Sequence, residues 1–418
     1  MRSVRVMILA GLGSTFMLPP AAAAPSEFVE PLTVVYTLED PTPGEEGFFG
    51  WEVTPLSDID GDGVSELLVS EPDTETGTVY VYSGQDGEPI YRLPGAESDL
   101  QGFSIADVGD IDRDGTADFL AGGVQHDRFR GIVRLYSGAT SEILGSILGA
   151  EPGGQFGYDA SGLGDVNGDG VPDFAVSAVR AGGAGRVYVY SGTTLDPIRT
   201  LEGENNLDLF GSGVGVVDDI DRDGVDDLVV GARDAGAGDH GEVYVYSGRT
   251  GERLLESPAP PTGLDFGWFF TTGIGDVNRD GVSDIYVSDH TDTTLGPRTG
   301  RATIVSGRDG SHLRSFAGSN HHEGLGPGRG AGDVDGDGVP DAVAGSFMSS
   351  DGASEAGQLE IYSGADGSLL RRITSTREGE QLGFDAFGFE DITSDGVPEL
   401  VGSAAGGDAV YLIEGISP

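Results

Sequence analysis

A nine-residue acidic stretch recurs seven times along the 418-residue chain, and its side chains suit the binding of a hard cation. The copy that begins at Asp333 reads DVDGDGVPD. In every copy, positions 1, 3, 5 and 9 carry oxygen-bearing side chains and position 6 is glycine. Calcium takes roughly six to eight oxygen ligands in flexible geometry. We therefore predict up to seven structural Ca²⁺ sites, one in each Asp loop, as these nonapeptides are called below.

The predicted ligands are the side chains at positions 1, 3, 5 and 9, together with the backbone carbonyl at position 7. The seventh site is expected to be the weakest, because a threonine replaces its position-3 carboxylate. The ligand set is Asp58, Asp60, Asp62, Val64 and Glu66; Asp110, Asp112, Asp114, Thr116 and Asp118; Asp165, Asn167, Asp169, Val171 and Asp173; Asp219, Asp221, Asp223, Val225 and Asp227; Asp276, Asn278, Asp280, Val282 and Asp284; Asp333, Asp335, Asp337, Val339 and Asp341; and Asp391, Thr393, Asp395, Val397 and Glu399.

The EF-hand is the obvious alternative, because its loop begins in the same way and also has glycine at position 6. An EF-hand requires a bidentate glutamate at position 12 and a helix after the loop. Position 12 is Val, Ala or Gly in all seven copies, and short apolar runs such as ELLVS and DFAVS follow. These runs are typical of buried strands, so the EF-hand is excluded.

The elements that position the loops form a repeat, since the loops start 52 to 58 residues apart. The units share an aromatic–Gly segment such as Phe156-Gly157, an Asp loop with its buried strand, an alternating strand ending in Ser-Gly, and a short apolar strand. The equivalents of the first segment are Gly102-Phe103 in unit 2 and Gly383-Phe384 in unit 7, and unit 6 departs from the pattern with Leu325-Gly326. Four hairpin-linked strands per unit are typical of a propeller blade. We predict an all-β, seven-bladed β-propeller with blades at about 49–93, 101–148, 156–201, 210–255, 266–316, 324–373, and 382–414 plus 32–38.

The two ends predict how the ring closes. The last unit stops after its third strand, whereas residues 32–38 read as a fourth strand with nothing before them. Pairing 32–38 with 408–414 completes the seventh blade and covers an edge that would otherwise stay open.

Charge and terminal composition restrict the environment and the partners. The net charge is −47, which disfavours nucleic acid and anionic membrane surfaces as partners. Residues 1–24 have two arginines, an apolar run and a small-residue cleavage site, which is typical of a secretory signal peptide. We expect residues 25–418 to form one propeller domain, secreted or periplasmic, monomeric by default and without membrane insertion.

The order of aromatic–Gly segment, DxDxDG loop and following VSEP, VGAR or VSAV stretch resembles FG-GAP repeats, which build the N-terminal propeller of integrin α subunits. The resemblance covers residues 31–418 and implies calcium in the Asp loops, with ligands on the opposite face. It suggests a binding or adhesion module for an extracellular protein or glycan. The alternative is a propeller-based polysaccharide lyase or hydrolase, although no catalytic constellation stands apart from the metal loops.

Strand alternation predicts where a partner docks. The Asp loops and Ser-Gly turns should share one face, and the more variable loops should share the other. Variable loops on a rigid scaffold are the usual place of recognition. We expect any ligand to bind near blades 4–6, with Arg298 and His321 contributing. The variable segments are 71–77, 123–130, 179–185, 233–241, 289–300, 319–329 and 347–357.

Overall fold

The computed structural model describes residues 27–42 and 47–415, and these residues form seven four-stranded antiparallel sheets. The predicted seven-bladed, all-β propeller is confirmed. The predicted signal segment, residues 1–24, lies outside the described residues. Within those residues the helical structure is confined to one turn at His126–Phe129, whose residues 127–129 have left-handed backbone angles, and a 3-10 turn at Ala405–Gly407. No helix in this part of the chain is long and apolar enough to cross a membrane.

The strands follow the repeat in chain order, and each blade is numbered by the order of its Asp loop. An N-terminal strand β1 (Val34–Glu39) precedes blade 1. Blade 1 has β2 (Val53–Leu56), β3 (Glu66–Glu71), β4 (Thr78–Tyr82) and β5 (Pro89–Pro94); blade 2 has β6 (Gln101–Gly109), β7 (Asp118–Gly123), β8 (Ile132–Tyr136) and β9 (Ile143–Leu148); blade 3 has β10 (Phe156–Gly164), β11 (Asp173–Ala178), β12 (Arg186–Tyr190) and β13 (Pro197–Glu202).

The remaining blades repeat this plan. Blade 4 has β14 (Phe210–Val217), β15 (Asp227–Ala232), β16 (Glu242–Tyr246) and β17 (Arg253–Pro258); blade 5 has β18 (Thr271–Gly275), β19 (Asp284–Asp289), β20 (Arg301–Val305) and β21 (His312–Ala317); blade 6 has β22 (Leu325–Gly332), β23 (Asp341–Ser346), β24 (Gln358–Tyr362) and β25 (Leu369–Thr374); blade 7 has β26 (Leu382–Gly388), β27 (Leu400–Ala404) and β28 (Ala409–Ile413).

Differences in burial explain why the second strands and the outer strands of the blades have different sequence patterns. The second strand of each blade is buried along its whole length, as in β3 with the sequence ELLVSE. The outer strand is exposed or half-buried at most positions, as in β5 and β9. A strand covered by other blades on both faces needs a continuous apolar run, whereas an outer edge strand does not.

The N-terminal strand closes the ring as predicted. Strand β1 pairs antiparallel with β28, so the order in blade 7 is β1-β28-β27-β26. Leu38 lies opposite Val410 and is buried. The first and last described strands of the chain therefore share one sheet, which leaves no blade with three strands.

The aromatic–Gly segments lie at the junctions between blades. Phe156 is fully buried and forms a bridge with Gly131 of the preceding blade. In blades 2, 6 and 7 the corresponding buried positions hold Gln101, Leu325 and Leu382, each with the same bridge to the preceding blade. The motif therefore needs a buried side chain before its glycine rather than an aromatic ring. Phe103 and Phe384, which the sequence suggested as equivalents, follow the glycine instead.

Candidate functional site

Each Asp loop connects the first strand of its blade to the second. The position-6 glycine has φ between +82° and +97° in all seven loops. An L-residue with a Cβ is strained in this region, which explains why the position is always glycine. The seven glycines are Gly63, Gly115, Gly170, Gly224, Gly281, Gly338 and Gly396.

The acidic side chains organise the loop backbone. In all seven loops the position-1 carboxylate accepts a hydrogen bond from the backbone N–H of position 6, at 2.7–3.0 Å. The position-5 carboxylate accepts one from the N–H of position 7, at 2.8–3.0 Å. These bonds turn the nonapeptide back on itself, so its acidic side chains approach one another.

The position-9 acid anchors each loop to its sheet. It is buried, and it accepts a hydrogen bond from the N–H of position 2 at 2.9–3.0 Å in every loop. In five blades it also accepts one from the glycine of the Ser-Gly turn, as Asp118 does from Gly138 at 3.1 Å. Burial raises the pKa of Asp118 to about 6 and that of Glu66 to about 7. The Asp loop and the Ser-Gly turn are thereby tied together on one face.

Four loops bring three carboxylates within 4.8 Å of one another, namely those of blades 1, 2, 4 and 6. The three remaining loops have Asn167, Asn278 or Thr393 at position 3, and none of them shows such a group among the described residues. Asp333 Oδ1 and Glu66 Oε2 are buried without a hydrogen-bond partner. Converging carboxylates and unpaired buried oxygens fit a hard divalent cation, which supplies the missing positive charge.

Two arginines of the Ser-Gly turns bind position-5 carboxylates, which the sequence reading missed. Arg308 Nε lies 2.9 Å from Asp280 Oδ2 in blade 5. In blade 4, Arg249 Nε lies 3.5 Å from Asp223 Oδ1 and its Nη2 donates to the Asp223 carbonyl at 3.1 Å. The available signal was an arginine directly after Ser-Gly, which occurs in these two units. In both loops a guanidinium competes with any cation for the same oxygens.

The strand topology places the remaining loops on the opposite face. Loops between second and third strands and connections between blades emerge there, and we call this the loop face. Five exposed large apolar side chains lie on it, whereas the Asp loops and Ser-Gly turns of the described residues hold none. The five are Phe48, Phe129, Leu207, Leu264 and Leu295. Single exposed apolar side chains are common on protein surfaces, whereas contiguous patches mark interaction sites, so these five residues do not by themselves define a site.

Two neighbouring connections of blades 5 and 6 are joined on the loop face. The N–H of His322 donates to the Pro297 carbonyl at 2.9 Å, and the N–H of Gly324 donates to the Arg298 carbonyl at 3.1 Å. The close approach of the His321 ring to Gly296 leaves no room for a side chain there. Leu295, Arg298, His321 and His322 are exposed, and we call these four residues the loop patch.

Three other residues of the variable segments, His126, His290 and Phe347, are not free at the surface. His290 lies between Trp268 and Phe347, with ring centroids 4.7 and 5.9 Å away, and burial lowers its pKa to about 4. His126 Nδ1 lies 2.7 Å from Asp99 Oδ1. His290, Phe347 and His126 are therefore structural contacts within the fold.

Five aromatic rings meet at the propeller axis near the loop face. Trp51 lies 5.5 Å from Phe103 and 5.2 Å from Phe384, measured between ring centroids. Phe269 stacks on Tyr158 at 5.4 Å and an interplanar angle of 4°. It also lies 6.2 Å from Trp51 and 6.3 Å from Phe103. We call these five residues the aromatic cluster.

Behind the aromatic cluster lies an axial chamber of about 910 Å³, lined by first strands of all seven blades. Glu52, Asp159 and Arg329 line it. Arg329 donates to Asp385 Oδ2 at 2.9 Å and to the Val53 carbonyl at 3.1 Å. Burial raises the pKa of Asp159 to about 7, and burial with the neighbouring Asp159 charge raises that of Glu52 well above its usual value.

This chamber was not predicted from the sequence, although a signal for it was present. Glu52, Asp159 and Asp385 each stand two residues after the glycine of an aromatic–Gly segment. Residues two apart in a strand point to the same side of it. The acids of blades 1, 3 and 7 therefore occupy equivalent positions around the axis, which only the closed ring brings together.

Comparison with known proteins agrees with this architecture. The FG-GAP-like repeat model matches residues 58–121, and the FG-GAP repeat model matches residues 156–190. Integrin alpha-V of Gallus gallus is 29% identical over 269 residues, which cover 58% of this chain and 24% of that protein. Integrin alpha-5 of Xenopus laevis is 32% identical over 162 residues, covering 36% of this chain and 15% of that protein. The matched segments thus span about a quarter or less of these relatives.

A solved structure titled "Structure of Dos1 propeller" has the same fold, with a TM-score of 0.52 and 12% sequence identity. The match covers 88% of this chain and 77% of that one. The predicted resemblance is confirmed: the chain carries FG-GAP repeats and forms an integrin-alpha-like propeller.

Proposed function

We propose that the chain is a calcium-stabilised binding module that takes an extracellular protein or glycan ligand on its loop face. The observation that carries this proposal is the loop patch. It combines an exposed apolar side chain, an arginine and two histidines on two connections that hydrogen bonds hold together. The relatives are integrin alpha subunits, and an integrin-alpha-like propeller supports a role in adhesion or binding.

The charge of the loop patch restricts the class of ligand that the loop face can bind. The chain as a whole carries a net charge of −47, whereas the loop patch holds Arg298 and two histidines without an acidic member. A local cationic group on an acidic protein attracts an anionic group and repels cationic surfaces. The ligand on the loop face therefore presents a carboxylate or sulfate, as an acidic glycan or an acidic peptide does.

Calcium has a structural part in this proposal. The residues that hold it are the carboxylates and position-7 carbonyls of the Asp loops, foremost those of blades 1, 2 and 6. When bound, the ion supplies positive charge that offsets repulsion between the acids. The Asp loops tie first strands, second strands and Ser-Gly turns together, so the ions stabilise the scaffold that presents the loop face.

The test is a glycan and peptide array probed with the purified chain in calcium, followed by titration of the strongest binder. Arg298→Glu and His321→Glu should each weaken binding about tenfold or more, since every 1.4 kcal/mol is tenfold. The matched control is Asp366→Asn in a Ser-Gly turn on the other face, which should leave binding unchanged. If only the control weakens binding, the ligand uses the other face. Turnover of an acidic polysaccharide would instead support the lyase or hydrolase alternative.

A further inference from the structure

The axial chamber is closed on one side and accessible on the other. The aromatic cluster fills the axis at the loop face, with adjoining ring centroids 5.1–6.3 Å apart. At the opposite end the lining consists of short residues such as Ser57 and Gly332, both of which are exposed. A ligand therefore enters the chamber from the Asp-loop face, away from the loop patch.

The chamber has an excess of negative charge. Glu52 and Asp159 line it, Asp385 lies behind the lining in contact with Arg329, and Arg329 is the cation that faces these three acids. Asp107 adds a fourth carboxylate to the lining. Even without Asp107, three carboxylates opposed by one guanidinium leave two charges uncompensated. Buried charge without a partner is costly, so the acids hold protons or take a cation from solution. Arg329 itself is committed to Asp385 and to the Val53 carbonyl.

When ionised, these acids are hydrogen-bond acceptors, and backbone N–H groups use part of that capacity. Glu52 Oε2 accepts from the Ile105 N–H at 3.1 Å, whereas Asp159 accepts at both oxygens, from the Val214 N–H at 2.7 Å and the Ala160 N–H at 2.8 Å. Asp385 is almost fully buried, and its Oδ1 has no hydrogen-bond partner. A complementary ligand must therefore donate hydrogen bonds and carry positive charge.

The size and lining of the chamber favour an organic cation over a metal ion as its ligand. Groups of three carboxylates within 4.8 Å occur among the described residues in Asp loops alone, so the chamber acids do not form such a cluster. A volume of about 910 Å³ accommodates a small organic molecule. Its aromatic wall also favours a cation, because ammonium groups are attracted to the faces of such rings.

We propose that the axial chamber binds a small organic cation of the alkyl diamine class, with its ammonium groups donating to Glu52 and Asp159. Its methylene chain packs along the aromatic wall beside Trp51, because the Arg233 guanidinium already covers the Trp268 ring at 4.0 Å. This site is separate from the loop patch, and it does not depend on the function proposed for that patch.

The two tryptophans of the chain provide a reporter specific to this site. Trp51 and Trp268 are the only tryptophans, and both line the chamber. We therefore choose titration with putrescine while tryptophan emission is recorded, at saturating calcium and physiological ionic strength. Diamine that binds the acidic outer surface does not change the surroundings of either ring. The expected result is a saturable change in emission with putrescine and none with the neutral isostere 1,4-butanediol.

Substitutions of the two lining acids test whether the diamine binds in the chamber. Glu52→Gln and Asp159→Asn should each weaken the fluorescence response about tenfold or more, as expected for the loss of a buried charge partner. Glu88→Gln removes an exposed carboxylate on the Asp-loop face and should change nothing. Ser161→Lys places an ammonium group in the chamber from its own lining and should abolish the response. If Glu52→Gln and Asp159→Asn do not fold, Ser161→Lys still tests whether the diamine binds in the chamber.

Three outcomes overturn the proposal. The first is an equal response to 1,4-butanediol, which indicates a neutral polyol site. The second is a loss of affinity in Glu88→Gln as large as in Glu52→Gln, which indicates nonspecific surface binding. The third is the absence of any emission change in wild type across millimolar putrescine.

Discussion

Arg308 donates two hydrogen bonds to the position-5 carboxylate of Asp280, with Nε 2.9 Å from Oδ2 and Nη2 3.2 Å from Oδ1. The same guanidinium donates to the Asp280 carbonyl. The hydrogen bond and charge of Arg308 hold the pKa of Asp280 below its usual range. The cation that the blade 5 loop would take from solution is thus partly replaced by a guanidinium from the Ser-Gly turn of the same blade.

Removing this arginine should strengthen calcium binding in blade 5. Arg308→Gln frees both oxygens of Asp280, and we expect the affinity of this site to rise about two- to fivefold, the range of an exposed ion pair. Calorimetric titration with calcium measures it. Arg128→Gln, on the loop face, is the charge-matched control and should bind calcium like wild type. Unchanged or weaker calcium binding in Arg308→Gln would show that the arginine does not compete.

Calcium should raise the melting temperature of the whole propeller. At a free concentration about 100 times Kd, one site stabilises the folded state by about 2.7 kcal/mol. Chelation with EDTA should lower the melting temperature, and added calcium should restore it. Scanning calorimetry at several calcium concentrations measures the effect, and a melting temperature independent of calcium would refute the structural role.

The blades should differ in how much calcium they contribute. Asp337→Asn alters blade 6, where three other carboxylates converge and Asp333 Oδ1 lacks a partner. Asp395→Asn alters blade 7, where Thr393 stands at position 3. We expect the calcium-dependent rise in melting temperature to fall more in Asp337→Asn. Equal losses in both variants would show that all loops bind alike.

The chamber acids should make stability depend on pH. Asp159 has a folded-state pKa of about 7, raised by burial from 3.8, so the folded state keeps a proton that the unfolded chain releases. Its contribution to stability is therefore present at low pH and is lost as the pH rises from about 4 to about 7. Asp159→Asn cannot titrate at this position, so its free energy of unfolding does not fall for this reason as the pH rises. Relative to wild type, the variant should therefore become more stable between about pH 4 and pH 7.

Urea denaturation at saturating calcium, repeated between pH 4.5 and 8, measures the difference between the two proteins. Glu52 and Arg329 lie near Asp159, Asp385 lies near those two residues, and all three are present in both proteins, so the comparison isolates the single substitution. A difference that stays constant with pH would show that Asp159 is ionised throughout.

Ring closure by the N-terminal strand can be tested with graded changes. Leu38→Ala removes a buried side chain of β1 and should cost about 2–5 kcal/mol of unfolding free energy. Deletion of residues 27–40 exposes the edge of β28 and should destabilise the protein further. Glu39→Gln, which is exposed on the same strand, is the control. Wild-type melting of the deletion variant would mean that the ring does not need this strand.

The fold could be predicted from the sequence because each blade is built from one continuous repeat unit. Each blade is one hairpin-linked unit, and seven copies of an Asp loop with glycine at positive φ fix its turns. The missing strand after β28 and the extra strand at the N-terminus predicted the closure that the β1–β28 pairing confirms. The apolar second strands also predicted their own burial.

Only the tertiary structure decided which charges meet. Arg308 and Asp280 lie on two different connections of blade 5, β20–β21 and β18–β19, and Arg329 contacts Asp385 and Val53 across three blades. Glu52, Asp159 and Asp385 are separated by more than 100 residues from one to the next, and a shared axis brings them together. Repeat patterns specify each blade, whereas contacts across the axis depend on the number of blades and the closure of the ring.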